Sequence, residues 1–238
     1  MVTGGSAGIG QEIARRLSSE GADIAVADIN PAEETKALVE ASGQRFFSAK
    51  TDISDEAQVN AFAAQVRDRL GRADIIVNNA AVVLLADFDH VTFQQWKQTF
   101  SVNVNGAFLT AKAFLDDLKQ SPAGRIINIT SASYWNSPPP FVSYVSAKGA
   151  LNGLTYVLAT NLAPYDVTVN AVAPSLVRTA ATLRNTSEEF FAATVQLQDL
   201  KRVQTPPDVS GTVAFLASGD AAFITGQIIA VDGGTTRR

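Results

Sequence analysis

The stretch Thr3-Gly-Gly-Ser-Ala-Gly-Ile-Gly10 lies between a short β-branched run and a helical pattern. Glycines at such a turn adopt backbone angles that a Cβ would obstruct, and they let the backbone approach a phosphate closely. The following helix supplies free N–H groups and the positive end of its dipole. The stretch therefore predicts a turn that binds the pyrophosphate of a dinucleotide, with an ordinary tight turn as the alternative. No Gly-Lys-Ser/Thr sequence follows it, which excludes a phosphate P-loop.

Beyond this turn, short β-branched runs alternate with helical patterns along the chain, which is typical of βαβ units. The predicted strands are Met1 to Thr3, Asp23 to Asp28, Arg45 to Lys50, Ile75 to Asn78, Arg125 to Ile129, Val167 to Ala173 and Gln227 to Val231. The predicted helices are Gln11 to Glu20, Pro31 to Ala41, Glu56 to Leu70, Phe93 to Leu118, Ser143 to Leu162 and Pro207 to Ser218. We expect a single α/β domain over residues 1–238, a Rossmann-type, doubly wound sheet of about seven parallel strands with helices on both faces.

Two features interrupt this regular pattern. The region from Pro174 to about Pro207 is irregular, with a weak helical pattern near Ser187 to Leu200. Because loops of this length often close over a site, we expect residues 174–207 to form a lid over the substrate. Only three residues precede the glycine turn, whereas a buried central strand has about five or six. We therefore expect the natural first strand to begin before this numbering.

Composition narrows the classes of function. The chain is 46% hydrophobic with a net charge of −4, which argues against a nucleic-acid partner. It has no cysteine and one histidine, His90, which we expect to be an ordinary surface residue. This excludes disulfides and Cys/His zinc sites, so no metal is expected. No apolar run reaches the roughly 18 residues of a membrane span, and no basic-then-apolar leader precedes the glycine turn. We expect a cytoplasmic protein without a membrane partner.

An acidic residue, Asp28, ends the second predicted strand, 18 residues after the last glycine of the turn. At this position a carboxylate accepts hydrogen bonds from the adenosine ribose hydroxyls and repels the 2′-phosphate of NADP. Neither Ala7 in the turn nor Ile29 after the strand is basic, so NAD is the predicted cofactor. The alternative is a solvated aspartate at a strand end. Further along, the pair Asp52-Ile53 is predicted to hold the adenine amino group.

Among the four tyrosines, only Tyr144 has a lysine four residues later, Lys148. On a helix this spacing places the phenol and the ammonium on one face. Because a nearby cation stabilises phenolate, the pKa of Tyr144 is predicted to fall from about 10 toward neutrality when a cofactor covers the site, as a general base requires. A lone pair of this kind is common by chance, so it is informative only together with the other motifs.

Four motifs occur in order along the chain: the glycine-rich turn, Asn78-Asn-Ala80, Ser131, and Tyr144-Val-Ser-Ala-Lys148. Ser131 lies thirteen residues before Tyr144. Together these motifs resemble the short-chain dehydrogenase/reductase family, and the match extends over the whole chain. The last segment, Ile224-Thr-Gly-Gln-Ile-Ile-Ala-Val-Asp-Gly-Gly234, also fits the family pattern.

The resemblance implies a catalytic set. Tyr144 is then the acid/base, Lys148 the ribose anchor and the cation that lowers the tyrosine pKa, and Ser131 the donor to the substrate oxygen. Asn103 holds a proton-relay water, and Asn105 is the competing asparagine.

The resemblance also implies a dinucleotide site and an assembly. Val177, through its backbone, and the Thr179 hydroxyl would hold the nicotinamide carboxamide. The predicted cofactor-binding residues are Gly4, Ser6, Gly8, Ile9, Gly10, Asp28, Ile29, Asp52, Ile53, Asn79, Ala80, Ala81, Tyr144, Lys148, Pro174, Ser175, Val177 and Thr179. The implied assembly is a homotetramer, with the long helices Phe93 to Leu118 and Ser143 to Leu162 at one interface.

Three departures from the family pattern matter, and the third is a pair of residues. Ala81 and Ser175 stand where glycine is usual, and both are small enough to be tolerated. After Ser131, two aromatic residues, Tyr134 and Trp135, replace the usual small ones. We interpret them as an aromatic wall against an apolar substrate, with loop packing as the alternative. The predicted substrate-binding residues are Ser131, Tyr134, Trp135 and Tyr144.

The predicted function is NAD-dependent interconversion of a secondary alcohol and its ketone by hydride transfer, with an aryl alcohol such as 1-phenylethanol as substrate. A reductase or dehydrogenase of another small carbonyl, a 3-oxoacyl thioester, a sugar or pyridoxal, is the alternative within enzymes. From another class, a non-catalytic NAD-binding sensor predicts an incomplete catalytic set. The presence of all four catalytic residues argues against the sensor.

Overall fold

The computed structural model describes residues 1–237, and its central element is a seven-stranded sheet in the order β3-β2-β1-β4-β5-β6-β7. The strands are β1 (Val2–Thr3), β2 (Ile24–Asp28), β3 (Phe46–Lys50), β4 (Ile75–Asn78), β5 (Arg125–Ile129), β6 (Thr168–Pro174) and β7 (Ile228–Val231). Every neighbouring pair is parallel. The predicted Rossmann-type sheet is confirmed, and each strand boundary lies within one residue of the prediction.

Helices cover both faces of the sheet. They are α1 (Gly8–Ser19), α2 (Glu33–Glu40), α3 (Glu56–Arg69), α4 (Phe93–Phe100), α5 (Gly106–Ala113), α6 (Leu115–Gln120), α7 (Ser133–Asn136), α8 (Val142–Leu162), α9 (Ala180–Asn185), α10 (Glu188–Leu197) and α11 (Pro206–Ala217). One face carries α1, α2 and α11, with Ile13 and Val213 in its core. The other carries α3, α5 and α8, with Phe62 and Phe114 in its core. Helix α1 starts at Gly8, three residues earlier than predicted, so the end of the glycine turn is already helical.

The predicted continuous helix from Phe93 to Leu118 is wrong. Helix α4 runs into a π-helical segment, Ser101–Asn105, before α5 begins, and a break at Phe114 separates α5 from α6. The buried ring of Phe114 packs edge-on against Phe62, with backbone angles outside the helical range. π-Helical turns concentrate at functional sites, and this one carries the predicted catalytic residue Asn103.

The predicted irregular region after β6 is more ordered than expected. Helix α10 confirms the helical pattern near Ser187 to Leu200, whereas α9 was not predicted. Thr179 caps α9 by accepting a hydrogen bond from the Thr182 N–H at 3.2 Å. Six residues are too few for a helical period to be distinguished from chance, which explains why α9 was missed.

The strand order reverses between β1 and β4, which lie side by side at the centre of the sheet. Chains leave these two strands toward opposite faces, so a crevice opens at their carboxyl ends, where ligands bind in folds of this type. The glycine turn follows β1, and the Asn78-Asn-Ala80 segment follows β4. The fold thus brings two motifs that are about 75 residues apart in sequence to the same crevice.

Candidate active site

The glycine turn packs directly against the segment that follows β4. Gly4 and Gly8 have positive φ angles of 64° and 60°. A Cβ on Gly4 would lie 2.8 Å from the Cα of Ala80, and one on Gly10 would lie 2.1 Å from the Gly4 carbonyl oxygen. Glycine is therefore required at these positions by the backbone conformation or by close approach. The cradle that a Cβ would fill supports the predicted pyrophosphate turn.

Hydrogen bonds fix this turn to the neighbouring strand. The Thr3 hydroxyl accepts the N–H groups of Asn79 and Ala80, both at 3.0 Å. The Asn79 amide donates to the carbonyl oxygens of Thr3 and Gly4, also at 3.0 Å. Asn79 therefore holds the shape of the crevice. Thr3 also fixes this shape, although sequence analysis included it in the turn motif without assigning a role to its hydroxyl.

Asp28 lies at the carboxyl end of β2, buried behind the turn. Its carboxylate accepts the Ser6 N–H at 3.0 Å and both the N–H and the side-chain amide of Asn30, at 2.9 and 3.3 Å. A carboxylate offers about four acceptor positions, so capacity remains for a ribose hydroxyl. Ile29 follows with its side chain 59% exposed. These positions fit the predicted ribose site.

The two residues predicted to hold the adenine amino group, Asp52 and Ile53, have different surroundings. Asp52 accepts the Ser54 N–H at 2.9 Å, which closes the turn after β3. The Ile53 side chain is buried in the core, where a Cβ on Gly106 would approach it to 2.5 Å. Only the backbone of Ile53 is thus left for a contact with adenine.

Tyr144, Lys148 and Ser131 lie together at the start of α8 and the end of β5. The Lys148 ammonium lies 5.4 Å from the centroid of the Tyr144 ring and donates to the Ile129 carbonyl oxygen at 2.7 Å. The hydroxyl of Ser131 is hydrogen-bonded to the phenol of Tyr144. The structure therefore brings together the three side chains that sequence analysis predicted to act together.

Burial sets the acid strengths of this group. It raises the pKa of Tyr144 to about 12, and the hydrogen bond with Ser131 opposes the rise. Burial lowers the pKa of Lys148 to about 8. The predicted lowering of the tyrosine pKa is absent from the protein alone, because burial outweighs the hydrogen bond and the ammonium is directed at Ile129. That lowering was predicted for a cofactor-covered site, and it stays a prediction for that state.

Ser131 has a neighbour that sequence analysis did not place in the site, Ser133. The Ser133 hydroxyl and N–H both donate to the Ser131 oxygen, at 2.8 and 3.2 Å. With its oxygen already accepting these two bonds, Ser131 is left to donate its proton toward Tyr144. The spacing of two residues is typical of a serine turn, but it is too common to identify the residue in advance.

The two candidate asparagines are distinguished by the π-helical segment. Asn103 is buried, and its side-chain amide makes two bonds to the Val82 backbone, accepting its N–H at 2.8 Å and donating to its carbonyl oxygen at 2.9 Å. Asn105 is exposed. Asn103 is therefore the asparagine tied to the crevice.

The segment after β6 lies against the glycine turn. A Cβ on Gly8 would contact the Thr179 methyl group at 3.5 Å, and Val177 is buried nearby. An unpredicted residue, Gln204, fixes the segment: its side chain accepts the Ser175 N–H at 3.0 Å and its carbonyl oxygen accepts the Arg178 N–H at 2.8 Å. Pro174 ends the buried strand β6. No short motif marks Gln204 in the sequence.

The aromatic residues of the predicted wall divide between two places. Tyr134 is 42% exposed and packs over α8, where a Cβ on Gly149 would lie 3.0 Å from its ring. Trp135 is less exposed and meets Tyr134 edge-on, with centroids 5.9 Å apart. Phe141 meets the ring of Tyr144 edge-on at the same distance. Phe141 is therefore the aromatic residue that packs against the predicted acid/base.

Three further predictions concern the histidine, a metal site and a membrane span. His90 is exposed, as predicted. Within residues 1–237 there is no cluster of His, Cys, Asp or Glu that could hold a metal ion. Over the same residues, no helix has the length and apolarity to cross a membrane.

Comparison with known proteins agrees with this geometry. A family model described as enoyl-(acyl carrier protein) reductase matches residues 4–236. The chain belongs to the short-chain dehydrogenase/reductase family. It is therefore an oxidoreductase of a family that binds a nicotinamide cofactor.

Two relatives and one solved structure show the range of this family. L-2,3-butanediol dehydrogenase of Corynebacterium glutamicum is 36% identical, over 98% of this chain and 96% of its own. A subunit of (2S)-[(R)-hydroxy(phenyl)methyl]succinyl-CoA dehydrogenase of Thauera aromatica is 34% identical, over 98% and 94%. The crystal structure of a blue fluorescent protein from a metagenomic library, in complex with NADPH, has a TM-score of 0.91 at 34% identity, over 99% and 96%.

Proposed function

We propose that this short-chain dehydrogenase/reductase oxidises secondary alcohols with NAD, or reduces the corresponding ketones with NADH. The observation that carries the proposal is the group of Ser131, Tyr144 and the buried Lys148 at the end of β5 and the start of α8. Bound nicotinamide accepts a hydride from the alcohol carbon or returns it to the ketone. The protein must therefore move one proton and stabilise one oxygen.

The side chains divide this work. Tyr144 takes the hydroxyl proton of the alcohol during oxidation and returns it during reduction. Ser131, oriented by Ser133, donates to the substrate oxygen as negative charge develops there. Lys148 supplies a positive charge beside the phenol, which favours the phenolate form of Tyr144.

The choice of NAD rests on Asp28. Its buried carboxylate has acceptor capacity for ribose hydroxyls and repels a 2′-phosphate. Comparing kcat/KM for NAD and NADP tests this proposal, and an equal or higher value for NADP overturns it. Asp28→Ala should weaken the binding of NAD and narrow the difference in kcat/KM between NAD and NADP, because it removes both the hydrogen bonds to the ribose and the repulsion of the 2′-phosphate.

We propose an aryl secondary alcohol such as 1-phenylethanol as the substrate class. Phe141 contacts Tyr144, and the Ala86 N–H donates to the Pro140 carbonyl oxygen at 2.8 Å, which brings the loop after β4 beside it. This loop exposes Val83 and Leu85. The name of the Thauera aromatica relative describes a hydroxyl-bearing carbon attached to a phenyl ring, which supports the same class.

A substrate panel tests this class. Burial of a phenyl ring contributes roughly 1.5 to 3 kcal/mol, or about 10- to 150-fold in affinity. We expect 1-phenylethanol to give a higher kcat/KM than 2-propanol, 2,3-butanediol, glucose or a 3-hydroxyacyl thioester. The C. glutamicum relative makes butanediol the most informative competitor. Preference for butanediol or the thioester overturns the aryl class and leaves the family assignment intact.

We further propose a homotetramer in which α8 and the helices α4 to α6 form one interface. Phe108 on α5 and Tyr156 and Val157 on α8 are each more than half exposed, which leaves apolar side chains on these helices for a partner. Light scattering at micromolar concentration should give about four times the chain mass of 25.2 kDa. A monomer mass contradicts the proposal.

A further inference from the structure

A cavity of about 220 Å³ lies beside Asp28, where β2 and β3 end and α2 begins. Its polar lining comes from Asp28, Asn30, Glu33, Ser48 and Lys50. Since a water molecule occupies about 30 Å³ in the liquid, the cavity has room for a phosphate group. The cavity is therefore an extension of the proposed ribose site.

The sheet register places a cation next to the specificity carboxylate. Asp28 and Lys50 are paired residues of the parallel strands β2 and β3, so their side chains emerge on the same side of the sheet from strands about 4.8 Å apart. Lys50 ends β3 with its side chain exposed, and its flexible four-carbon stem can extend across the neighbouring strand.

The Asp28 carboxylate has hydrogen-bond partners within the protein, whereas the Lys50 ammonium has none in the part of the chain that the structure describes. Asp28 accepts hydrogen bonds from Ser6 and Asn30, as described above. Lys50, in contrast, makes no side-chain hydrogen bond or ion pair within residues 1–237. Because its ammonium has no internal partner, it is free to pair with an anion that enters the cavity.

We propose that Lys50 is a second residue that sets cofactor choice: it offers a cation to the 2′-phosphate of NADP and weakens the exclusion that Asp28 imposes. This inference rests on the dinucleotide site of the proposed function. The opposing charges predict that NADP is disfavoured but still bound. They also predict that neutralising Asp28 alone strengthens binding of the 2′-phosphate, since Lys50 then faces only one carboxylate in the lining, that of Glu33.

Calorimetry with adenosine fragments tests the proposal without turnover. The probes are 5′-ADP and 2′,5′-ADP, measured at one low ionic strength because salt screens exposed charges. The variants are Lys50→Gln, Asp28→Asn and the double variant. Lys36→Gln is the matched control, since Lys36 is an exposed lysine on α2 outside the cavity lining.

We expect Lys50→Gln to weaken the binding of 2′,5′-ADP about 3- to 5-fold, the upper range for an exposed ion pair, and to change the affinity for 5′-ADP less than about 2-fold. Asp28→Asn should strengthen the binding of 2′,5′-ADP. The double variant should lose most of that gain in affinity. Lys36→Gln should leave the affinity for both probes unchanged.

Equal effects of Lys50→Gln on the two probes, or no effect on 2′,5′-ADP, overturn the role of Lys50 and leave the dinucleotide site standing. Retention of the full Asp28→Asn gain in the double variant also overturns it, because the gain in affinity for 2′,5′-ADP then does not depend on the Lys50 ammonium. Failure of the unmodified protein to bind 5′-ADP counts against the proposed function itself.

Discussion

The proposed cofactor side and the proposed substrate side of the crevice are held by different kinds of contact. On the cofactor side, four hydrogen bonds through Thr3 and Asn79 tie the turn after β1 to the segment after β4. On the substrate side, Arg178 makes two bonds to Glu188 of α10, at 2.9 and 2.6 Å, and lies 4.6 Å over the Phe191 ring. The first set is partly buried and involves the backbone, whereas the ion pair of the second set joins exposed side chains above the buried Phe191. We infer a rigid cofactor side and an adjustable substrate side.

Tyr144 lies where the two sides meet. Its substitution should therefore have the largest effect on kcat and little effect on cofactor binding. Tyr144→Phe should lower kcat by about 10²- to 10⁴-fold, because it removes the acid/base hydroxyl alone. NADH binding, followed by fluorescence, should stay within about 3-fold. Tyr165→Phe, at an exposed tyrosine that follows the same helix, is the control and should keep full activity. More than a tenth of the original kcat in Tyr144→Phe contradicts the assignment.

The buried ammonium of Lys148 should give the rigid side a distinct response to pH. Its pKa is about 8 in the folded protein and ordinarily 10.5, so between these values the unfolded chain binds more protons than the folded one. Stability should therefore rise as pH increases from about 8 to 10, by about 3 kcal/mol at most. Above pH 10, the raised pKa of Tyr144 opposes the gain, because the folded state then holds the extra proton.

Denaturant unfolding of Lys148→Met at pH 7.5 and pH 9.5 measures this contribution. The variant should lose the pH-dependent rise while keeping a cooperative transition. A rise of the same size in both proteins shows that another group causes it.

Trp135→Ala should act only on the substrate side. Loss of the aromatic surface should lower kcat/KM for 1-phenylethanol about 10-fold and leave that for 2-propanol within about 2-fold, since the small alcohol has no ring to bury. The ratio of the two values is the measurement. An unchanged ratio favours Phe141, which touches Tyr144, as the residue that recognises the ring.

The smallest effect is expected from the contact that anchors α10. Arg178→Ala should raise KM for the alcohol about 3-fold and leave NAD affinity unchanged, because exposed ion pairs contribute up to about 1 kcal/mol. Arg202→Ala removes a comparable pair with Asp208 on α11 and serves as the control. A larger effect on NAD affinity than on KM shows that the two sides are coupled through residues 177–179.

Much of this architecture follows from local sequence. Strand boundaries were predicted to within one residue because buried parallel strands form dense apolar runs that end at glycine or polar residues. Tyr144 and Lys148 were found because a single helical turn relates them. Both features depend on neighbours in the chain.

The features that were missed depend on neighbours in space. The raised pKa of Tyr144 reflects burial by several elements, and the position of Lys50 beside Asp28 depends on the pairing of β2 with β3. Gln204 acts through carbonyl and amide contacts to a segment about 30 residues earlier. The local periodicity of the sequence does not predict contacts between distant segments.

The π-helical segment of residues 101–105 makes the chain sensitive to length at this point. Each residue of an α-helix advances the side-chain direction by about 100°, and a π-turn accommodates one residue more than an α-turn. Helix α4 and helix α5 are thus out of phase with each other by one residue. This offset lets Thr99 bond Ser143 at 3.2 Å while Thr110 bonds Asn78 at 2.6 Å. Deleting one residue here would restore a continuous helix and rotate one of these contacts away, so a shortened segment is harder to accommodate than any single substitution within it.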